Sequence, residues 1–347
     1  MAVKKVNVAV VGATGAVGAT MRRVLEERDF PVARLHLLAS ARSAGAALDF
    51  RGRKVAVADL EAFDFAGVDI ALFSAGAAVS ERHAPRAAAA GCVVVDNTSC
   101  FRRDDDIPLV VPEVNPEALA HYANRGIVAN PNCSTIQMVV ALKPLHDRFR
   151  ITRINVATYQ AVSGAGRRAV EEMLAQTRAL LDGKPAAGDM YPKRIAFNAL
   201  PQIDVFLDNG YTREEMKMVW ETRKIFGDDA IRVNPTTVRV PVVHGHSEAV
   251  HIECERDVDL GEARAALASA AGVTLMDERR DGGYPTAATD ADGSDDVFVG
   301  RLRRDISHPR GLDLWVVSDN LRKGAATNSV QIAEHLLREH LAAGHCA

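Results

Sequence analysis

The chain has 347 residues, 48% of them hydrophobic and 25% charged, with 42 basic residues against 45 acidic ones and a formal net charge of -3. That length predicts about two domains, each large enough for its own core. Near-balanced charge without like-charged runs argues against a nucleic-acid or membrane-surface partner. The cysteines (Cys92, Cys100, Cys133, Cys254 and Cys346) are scattered and include no C-x-x-C pair. Neither a disulfide framework nor a zinc ribbon is expected, and a reducing, cytoplasmic compartment suits them. The apolar start reaches a glycine too soon for a signal peptide, and no stretch approaches a membrane span.

In chain order, Val6-Asn7-Val8-Ala9-Val10-Val11 is a short β-branched run of the kind that forms a buried parallel strand. It runs into Gly12-Ala13-Thr14-Gly15-Ala16-Val17-Gly18, followed by a helix to about Arg28. Further strands are expected at 35–39, 69–74 and 92–96, with alanine-rich helical stretches such as 84–90 between them. Strands alternating with helices predict a parallel sheet wound by right-handed crossovers, placed at residues 1–130. Beyond Pro131 the pattern becomes mixed α+β. It shows a helix at 134–148, a strand at 154–161 and a helix at 167–181, then two strands (237–243 and 249–255) joined as a hairpin through Gly245. A polar loop is expected at 281–296. A last helix at 324–341 is expected to pack back on the first domain, leaving 131–323 as the second domain.

The spacing G-x-x-G-x-x-G after a buried strand and before a helix suits a dinucleotide. The glycines permit a tight turn, and backbone amides at the helix N-terminus face a pyrophosphate. NAD enzymes usually place a carboxylate near the end of the second strand to bond the ribose 2′-hydroxyl. This chain instead has Ala39-Ser40-Ala41-Arg42-Ser43. A loop arginine can be merely solvated, but Arg42 beside Ser43 favours a 2′-phosphate, and hence NADP.

A lone cysteine is more often a small buried hydrophobe than a nucleophile. Cys133 differs in its setting, Asn130-Pro131-Asn132-Cys133-Ser134-Thr135, directly before an apolar-periodic helix. A helix N-terminus favours thiolate over thiol. Tyr159-Gln160-Ala161-Val162-Ser163-Gly164-Ala165-Gly166 ends a strand in a small-residue loop suited to close backbone approach. Arg239 stands in an otherwise apolar strand, followed by His244 and His246, and histidine is the usual general base near neutral pH. A metal reading of His244, His246 and His251 lacks a completing carboxylate or cysteine at ligand spacing.

Together these segments resemble the bacterial aspartate-semialdehyde dehydrogenase family, over nearly the whole chain. The likeness also takes in Asn97-Thr98-Ser99-Cys100-Phe101-Arg102 and the stretches 210–225 and 320–334. The resemblance implies an N-terminal Rossmann-like doubly wound parallel sheet and an α+β catalytic and dimerisation domain of the glyceraldehyde-3-phosphate dehydrogenase-like type. It implies a homodimer that reduces 4-phospho-L-aspartate with NADPH, releasing inorganic phosphate and L-aspartate 4-semialdehyde, in lysine, threonine, methionine and diaminopimelate biosynthesis. Carried over by motif, Cys133 is the nucleophile, His246 the acid/base and Gln160 a positioning group. Arg239 binds the substrate carboxylate and Glu214 its ammonium, while Arg102, Asn132 and Lys217 hold the phosphate. Gly12, Thr14, Gly15, Ala16, Val17, Arg42, Ser43, Ser163, Gly164 and Asn320 fall where the family binds NADP; no metal is implied.

The chemistry is coherent without the name. An acyl phosphate is activated for attack by sulfur, and the thioester formed accepts hydride. His246 can take the thiol proton, and Arg239 can grip a carboxylate in bidentate fashion. On spacing alone, Glu214 and Lys217 would be an exposed intrahelical ion pair worth only about a few tenths of a kcal/mol; the resemblance reverses that choice. Cys100, where the family often has alanine, puts a second thiol in its loop, and Trp220 and Ala77-Ala78 are further departures.

N-acetyl-γ-glutamyl-phosphate reductase shares the logic but needs no ammonium site and carries a segment closer to N-P-G-C-Y. An acyl-CoA reductase would be phosphate-independent. The S-C-T-T-N segment of glyceraldehyde-3-phosphate dehydrogenase is absent. A non-catalytic nucleotide-binding relative would be expected to lack the cysteine.

Overall fold

A computed structural model describes residues 5–341; Cys346 and the first four residues lie outside the described residues. The chain divides into two compact units, one running to Asn132 and resuming at Ala325, the other spanning Cys133–Gly324.

The first unit contains β1 (Val6–Val11), α1 (Ala16–Glu27), β2 (Val32–Ala39), β3 (Ala47–Phe50), β4 (Arg53–Asp59), β5 (Ile70–Phe73), α2 (Ala77–Ala89), β6 (Val93–Asp96) and β7 (Ile127–Ala129). They form one sheet in the order β3-β4-β2-β1-β5-β6-β7. Every pairing is parallel except β3 with β4, which is antiparallel. Val6, Val8, Val10, Ile70 and Leu72 share a core with Met21, Val24 and Leu25 of α1 and with Val330, Ile332 and Ala333 of the C-terminal helix Thr327–His335. The alternate residues Ala9, Val11, Ala71 and Phe73 are fully buried as well, and α2 packs on β5, β6 and β7. Both faces are therefore covered, which is why β1 and β5 read as continuous apolar runs.

Two features depart from the sequence reading. The β3–β4 hairpin was not anticipated, because its strands are half-exposed and charged and its turn rests on Arg51 and Gly52, both with positive φ (48° and 70°). Helix α2 begins at Ala77, seven residues before the expected stretch, since its first two turns carry too few large apolar residues to announce a helix.

The second unit contains α3 (Cys133–Phe149), β8 (Ile151–Gln160), α4 (Arg167–Leu181), α5 (Arg213–Phe226), β9 (Arg232–Arg239), β10 (His246–Cys254), α6 (Leu260–Ser269), β11 (Val273–Leu275), β12 (Val297–Arg304) and β13 (Gly311–Ser318). Its sheet runs β11-β12-β13-β10-β8-β9. Helix α3 buries every residue from Ser134 to Leu142 and packs on β8, β10, β12 and β13 and on α5 and α6. The polar stretch 281–296 is irregular apart from one short π-helical turn at Ala287–Ala291.

The expected hairpin of 237–243 with 249–255 does not form. Strand β8 lies between the two: β9 pairs with it in parallel and β10 pairs with it antiparallel. After Arg239 the chain follows the end of β8, where the Val162 and Ser163 amides donate to the Val242 and Val243 carbonyls at 2.9 and 3.2 Å. It then crosses to the far side of β8. β9 is thus an edge strand, the place where its Pro235 is tolerated.

Candidate active site

This crossing assembles the site. In the β8–β9 register Gln160 stands opposite Arg239, and in the β8–β10 register Tyr159 stands opposite Ser247. Arg239 and His246 therefore flank the end of β8. All three side chains are buried, His246 completely.

Arg239 donates from Nη1 to the Ala161 carbonyl at 2.8 Å, while its buried Nε has no hydrogen-bond partner. Its backbone is fixed on the other side by Leu200, through a pair of amide bonds of 2.8 and 2.9 Å. His246 Nδ1 accepts from the Ala161 amide at 3.0 Å, and its Nε2 is buried without a partner. Burial first, and then the Arg239 charge, lower the His246 pKa to about 3 against the opposing pull of Glu214 and the Gly245 carbonyl. Gly164 supplies room beside both groups: a Cβ there would lie 3.1 Å from Arg239 Nη1 and 3.5 Å from His246 Nε2.

Cys133 is the first residue of α3, where the helix dipole favours a negative sulfur. Gly324 lies against it, since a Cβ on that glycine would come 2.8 Å from the Cys133 Cβ. Sequence reasoning missed Gly324; no local signal distinguishes it from other glycines.

Helix α5 brings Glu214 and Lys217 to Gln160. The Gln160 amide nitrogen reaches Glu214 Oε1 at 3.4 Å, and Lys217 Nζ bonds Glu214 Oε2 and Asp204 Oδ2, each at 3.0 Å. The pair is largely buried, so it is not the solvated intrahelical pair that spacing alone suggested. Burial opposes the charge on Lys217, but Glu214 and Asp204 outweigh it and raise its pKa. Glu215, also overlooked in the sequence, closes a capping box with Thr212. Its other oxygen accepts from the Thr237 amide at 3.0 Å, tying α5 to the strand that ends in Arg239.

Ser163, Gly164 and Asn320 come together as well. The Asn320 side chain bonds the Ser163 hydroxyl at 3.0 Å and accepts from the Gly245 amide at 2.9 Å. His251 faces away from this cluster, on the alternate side of β10, with Nδ1 3.0 Å from Asp313. Among the described residues no group of three or more His, Cys, Asp or Glu side chains is arranged to hold a metal ion.

In the first unit, Arg102 is buried and donates to the Asn130 and Asn97 carbonyls at 2.9 and 2.8 Å. Its loop is pinned by buried Asp96, which accepts from Ser80 Oγ at 2.7 Å and Thr98 Oγ1 at 2.8 Å. Asn132, also buried, precedes Cys133 in the chain. Burial, and then Asp96, push the Cys100 thiol up to about 11, which leaves it protonated and poorly reactive.

The glycine-rich turn fits a dinucleotide. It follows β1, the strand at which the sheet order reverses between β2 and β5. Gly12 has φ +87°, and a Cβ on Gly18 would meet the Gly12 carbonyl at 2.3 Å, so strand end and helix start approach as only glycine allows. Thr14 is exposed at the turn and Ala16 opens α1, with Val17 behind it. Arg42 and Ser43 lie in a short 3₁₀ turn just past β2, with Arg42 exposed.

Known proteins match over nearly the whole chain. The family profile described as "Semialdehyde dehydrogenase, NAD binding domain" matches residues 7–122, and "Semialdehyde dehydrogenase, dimerisation domain" matches residues 142–323. An aspartate-semialdehyde dehydrogenase from Legionella pneumophila is 64% identical over 338 residues, covering 97% of each chain. A crystal structure of aspartate semialdehyde dehydrogenase II from Vibrio cholerae, complexed with ASA, superposes with a TM-score of 0.95 at 58% identity, over 97% of this chain and 99% of that one. An aspartate semialdehyde dehydrogenase from Candida albicans solved with NADP gives a TM-score of 0.75 at 26% identity, over 96% and 98% of the two chains.

Proposed function

This chain belongs to the aspartate-semialdehyde dehydrogenase family, and on that premise we propose that it converts 4-phospho-L-aspartate, NADPH and a proton into L-aspartate 4-semialdehyde, phosphate and NADP. The observation that carries the reading is the cluster at the end of β8, where buried Arg239 and His246 flank Gln160 around the opening left by Gly164. Arg239 takes the substrate carboxylate. Glu214 takes the ammonium through Oε1, the oxygen turned toward Gln160, while Oε2 stays on Lys217. This leaves the acyl carbon for Cys133.

The sulfur attacks that carbon, the phosphate leaves, and the chain holds the aspartyl group as a thioester. NADPH supplies the hydride when bound at the glycine-rich turn, with Arg42 and Ser43 on its 2′-phosphate and Ser163, Gly164 and Asn320 at the catalytic end. Arg102, Asn132 and Lys217 serve the phosphate. The protein works as a homodimer in the cytoplasm. The sheet face opposite α3 carries exposed Tyr159 against Trp315, the kind of aromatic surface that subunit interfaces use.

The assay is NADP reduction by L-aspartate 4-semialdehyde with and without inorganic phosphate. Rapid, phosphate-dependent reduction is the expected result. No reduction by folded, NADP-binding protein would refute the substrate, and N-acetylglutamate 5-semialdehyde would then be tried. Reduction that requires coenzyme A instead of phosphate would make the chain an acyl-CoA reductase.

A further inference from the structure

The end of the site assigned to the substrate ammonium is a cluster of three ionic side chains. Lys217 Nζ lies 3.0 Å from Glu214 Oε2 and 3.0 Å from Asp204 Oδ2, so two carboxylates share one cation. Asp204 sits in the loop before α5 with φ at +68°, left-handed backbone that strains most residues carrying a Cβ. Its Oδ1 accepts from the Val205 amide at 2.8 Å, which leaves Oδ2 for Lys217. Burial opposes the charge on Asp204, but Lys217 outweighs it and lowers the carboxyl pKa. The same contacts raise the pKa of Lys217, so both groups are charged at neutral pH. Glu214 accepts from the Lys217 ammonium and from the Gln160 amide, as a carboxylate does.

A one-to-one pair of Glu214 with Lys217 would be neutral and would hold little attraction for a second cation. Sharing Lys217 with Asp204 leaves one net negative charge in the cluster. Arg213 also draws on Asp204, but it is exposed and solvent screens it. Glu215, the neighbouring acid, gives its oxygens to the Thr212 and Thr237 backbone amides. We propose that Asp204 is a specificity-determining residue: by sharing Lys217 it leaves Glu214 the surplus negative charge that selects a substrate carrying an unmodified ammonium group. The inference rests on the proposed reaction for the identity of that substrate. Asp204 acts through Lys217 and Glu214, as a positioning residue.

Two consequences run in opposite directions. A substrate ammonium at Glu214 Oε1 neutralises the cluster, whereas an analogue without the amine, or with the amine acylated, covers the surplus charge and leaves it uncompensated. Asp204 therefore favours the amine-bearing substrate. An ammonium has three donors, and Glu214 and Asp204 take two of those on Lys217, leaving one for the phosphate. Asp204 therefore competes with phosphate for Lys217. Removing its charge should weaken recognition of the amine without weakening that of phosphate, a split that mere loosening of the loop would not produce.

The variant is Asp204→Asn, which removes the charge but keeps the side-chain shape, an oxygen for the Val205 amide and a residue that tolerates left-handed backbone. NADP reduction is followed with L-aspartate 4-semialdehyde and with succinate semialdehyde, which differs only in lacking the amine. The wild type should prefer the amine-bearing aldehyde, and Asp204→Asn should cut that preference about tenfold through the KM for that aldehyde. The KM for phosphate should stay the same or fall. An unchanged preference, or a parallel rise in both KM values, overturns the inference. A binding arm needs no turnover: saturation-transfer NMR compares L-2-aminobutyrate, which carries ammonium and carboxylate, with butyrate, which carries the carboxylate alone. Tighter binding of the amino acid by the wild type, reduced about tenfold in Asp204→Asn, is expected. An equal preference in the two proteins, or none in the wild type, overturns the inference whatever the phosphate-dependent assay shows. A preference that is present and lost in the variant, in a protein that does not turn over the aldehyde, upholds it while refuting the proposed reaction.

Discussion

The glycine-rich turn and the end of strand β8 solve opposite problems. The turn must bring backbone close to a ligand, so its important feature is missing side chains: at Gly18 even a Cβ would strike the Gly12 carbonyl. The end of β8 must hold charged and titratable side chains away from water. Its important feature is therefore partners, such as the Ala161 backbone, which accepts from Arg239 through its carbonyl and donates to His246 through its amide. The turn is made by seven consecutive residues. The β8 site draws on two neighbouring strands and a helix that are distant in sequence, and it exists only because β8 lies between β9 and β10. Damage to the first should therefore weaken cofactor affinity, and damage to the second should stop chemistry while cofactor still binds.

Cys133→Ser should show the largest effect, a loss of turnover on the order of 10⁴-fold or more, with NADP affinity by fluorescence titration unchanged. Substantial turnover would remove the thioester. Arg239→Lys should lower kcat/KM for the aldehyde by about 10²-fold, because a point charge cannot replace the fork; wild-type kinetics would make Arg239 structural. In the other region, Gly18→Ala should weaken NADP binding about tenfold and lower thermal stability by about 1–3 kcal/mol, as overpacking does. A variant with wild-type binding and melting would show that the turn tolerates a methyl group. Arg42→Ala should raise the KM for NADP about tenfold with little change for NAD, and an equal change for both would cast Arg42 as solvated.

The smallest effect is expected at Glu248, fully buried on the same side of β10 as His246. Burial raises its pKa well above the carboxylate range, with Gln137 opposing. A raised carboxyl pKa contributes stability below the unfolded value of about 4.3 and loses it as pH climbs toward the folded value, by at most about 1.4 kcal/mol per pH unit. Glu248→Gln lacks that loss, so its melting temperature should gain on the wild type as pH rises. A constant difference between the two melting curves would show that Glu248 does not titrate this way.

How far the sequence could be read follows the same division. Strand β1, its turn and helix α1 were legible, because period, glycine spacing and helix onset all occur within one short window. The onset of α3 at Cys133 was legible from the polar entry before it. The β9–β10 hairpin was misread: 237–243 and 249–255 look like adjacent strands, and nothing local reveals that β8 inserts between them. The hidden partners were backbone groups, such as the Ala161 and Thr237 amides, which no residue letter announces. Strands β11, β12 and β13 passed unnoticed, being short or interrupted by charges such as Arg301, Arg303 and Asp313.

The central claim is a covalent aspartyl group on Cys133, and peptide-mapping mass spectrometry tests it most directly. Protein is mixed with L-aspartate 4-semialdehyde and NADP in the absence of phosphate, quenched in acid and digested. The account requires one aspartyl group on the peptide carrying Cys133, removed by adding phosphate before the quench. An adduct on another residue, or none from protein that turns over when phosphate is supplied, would contradict it.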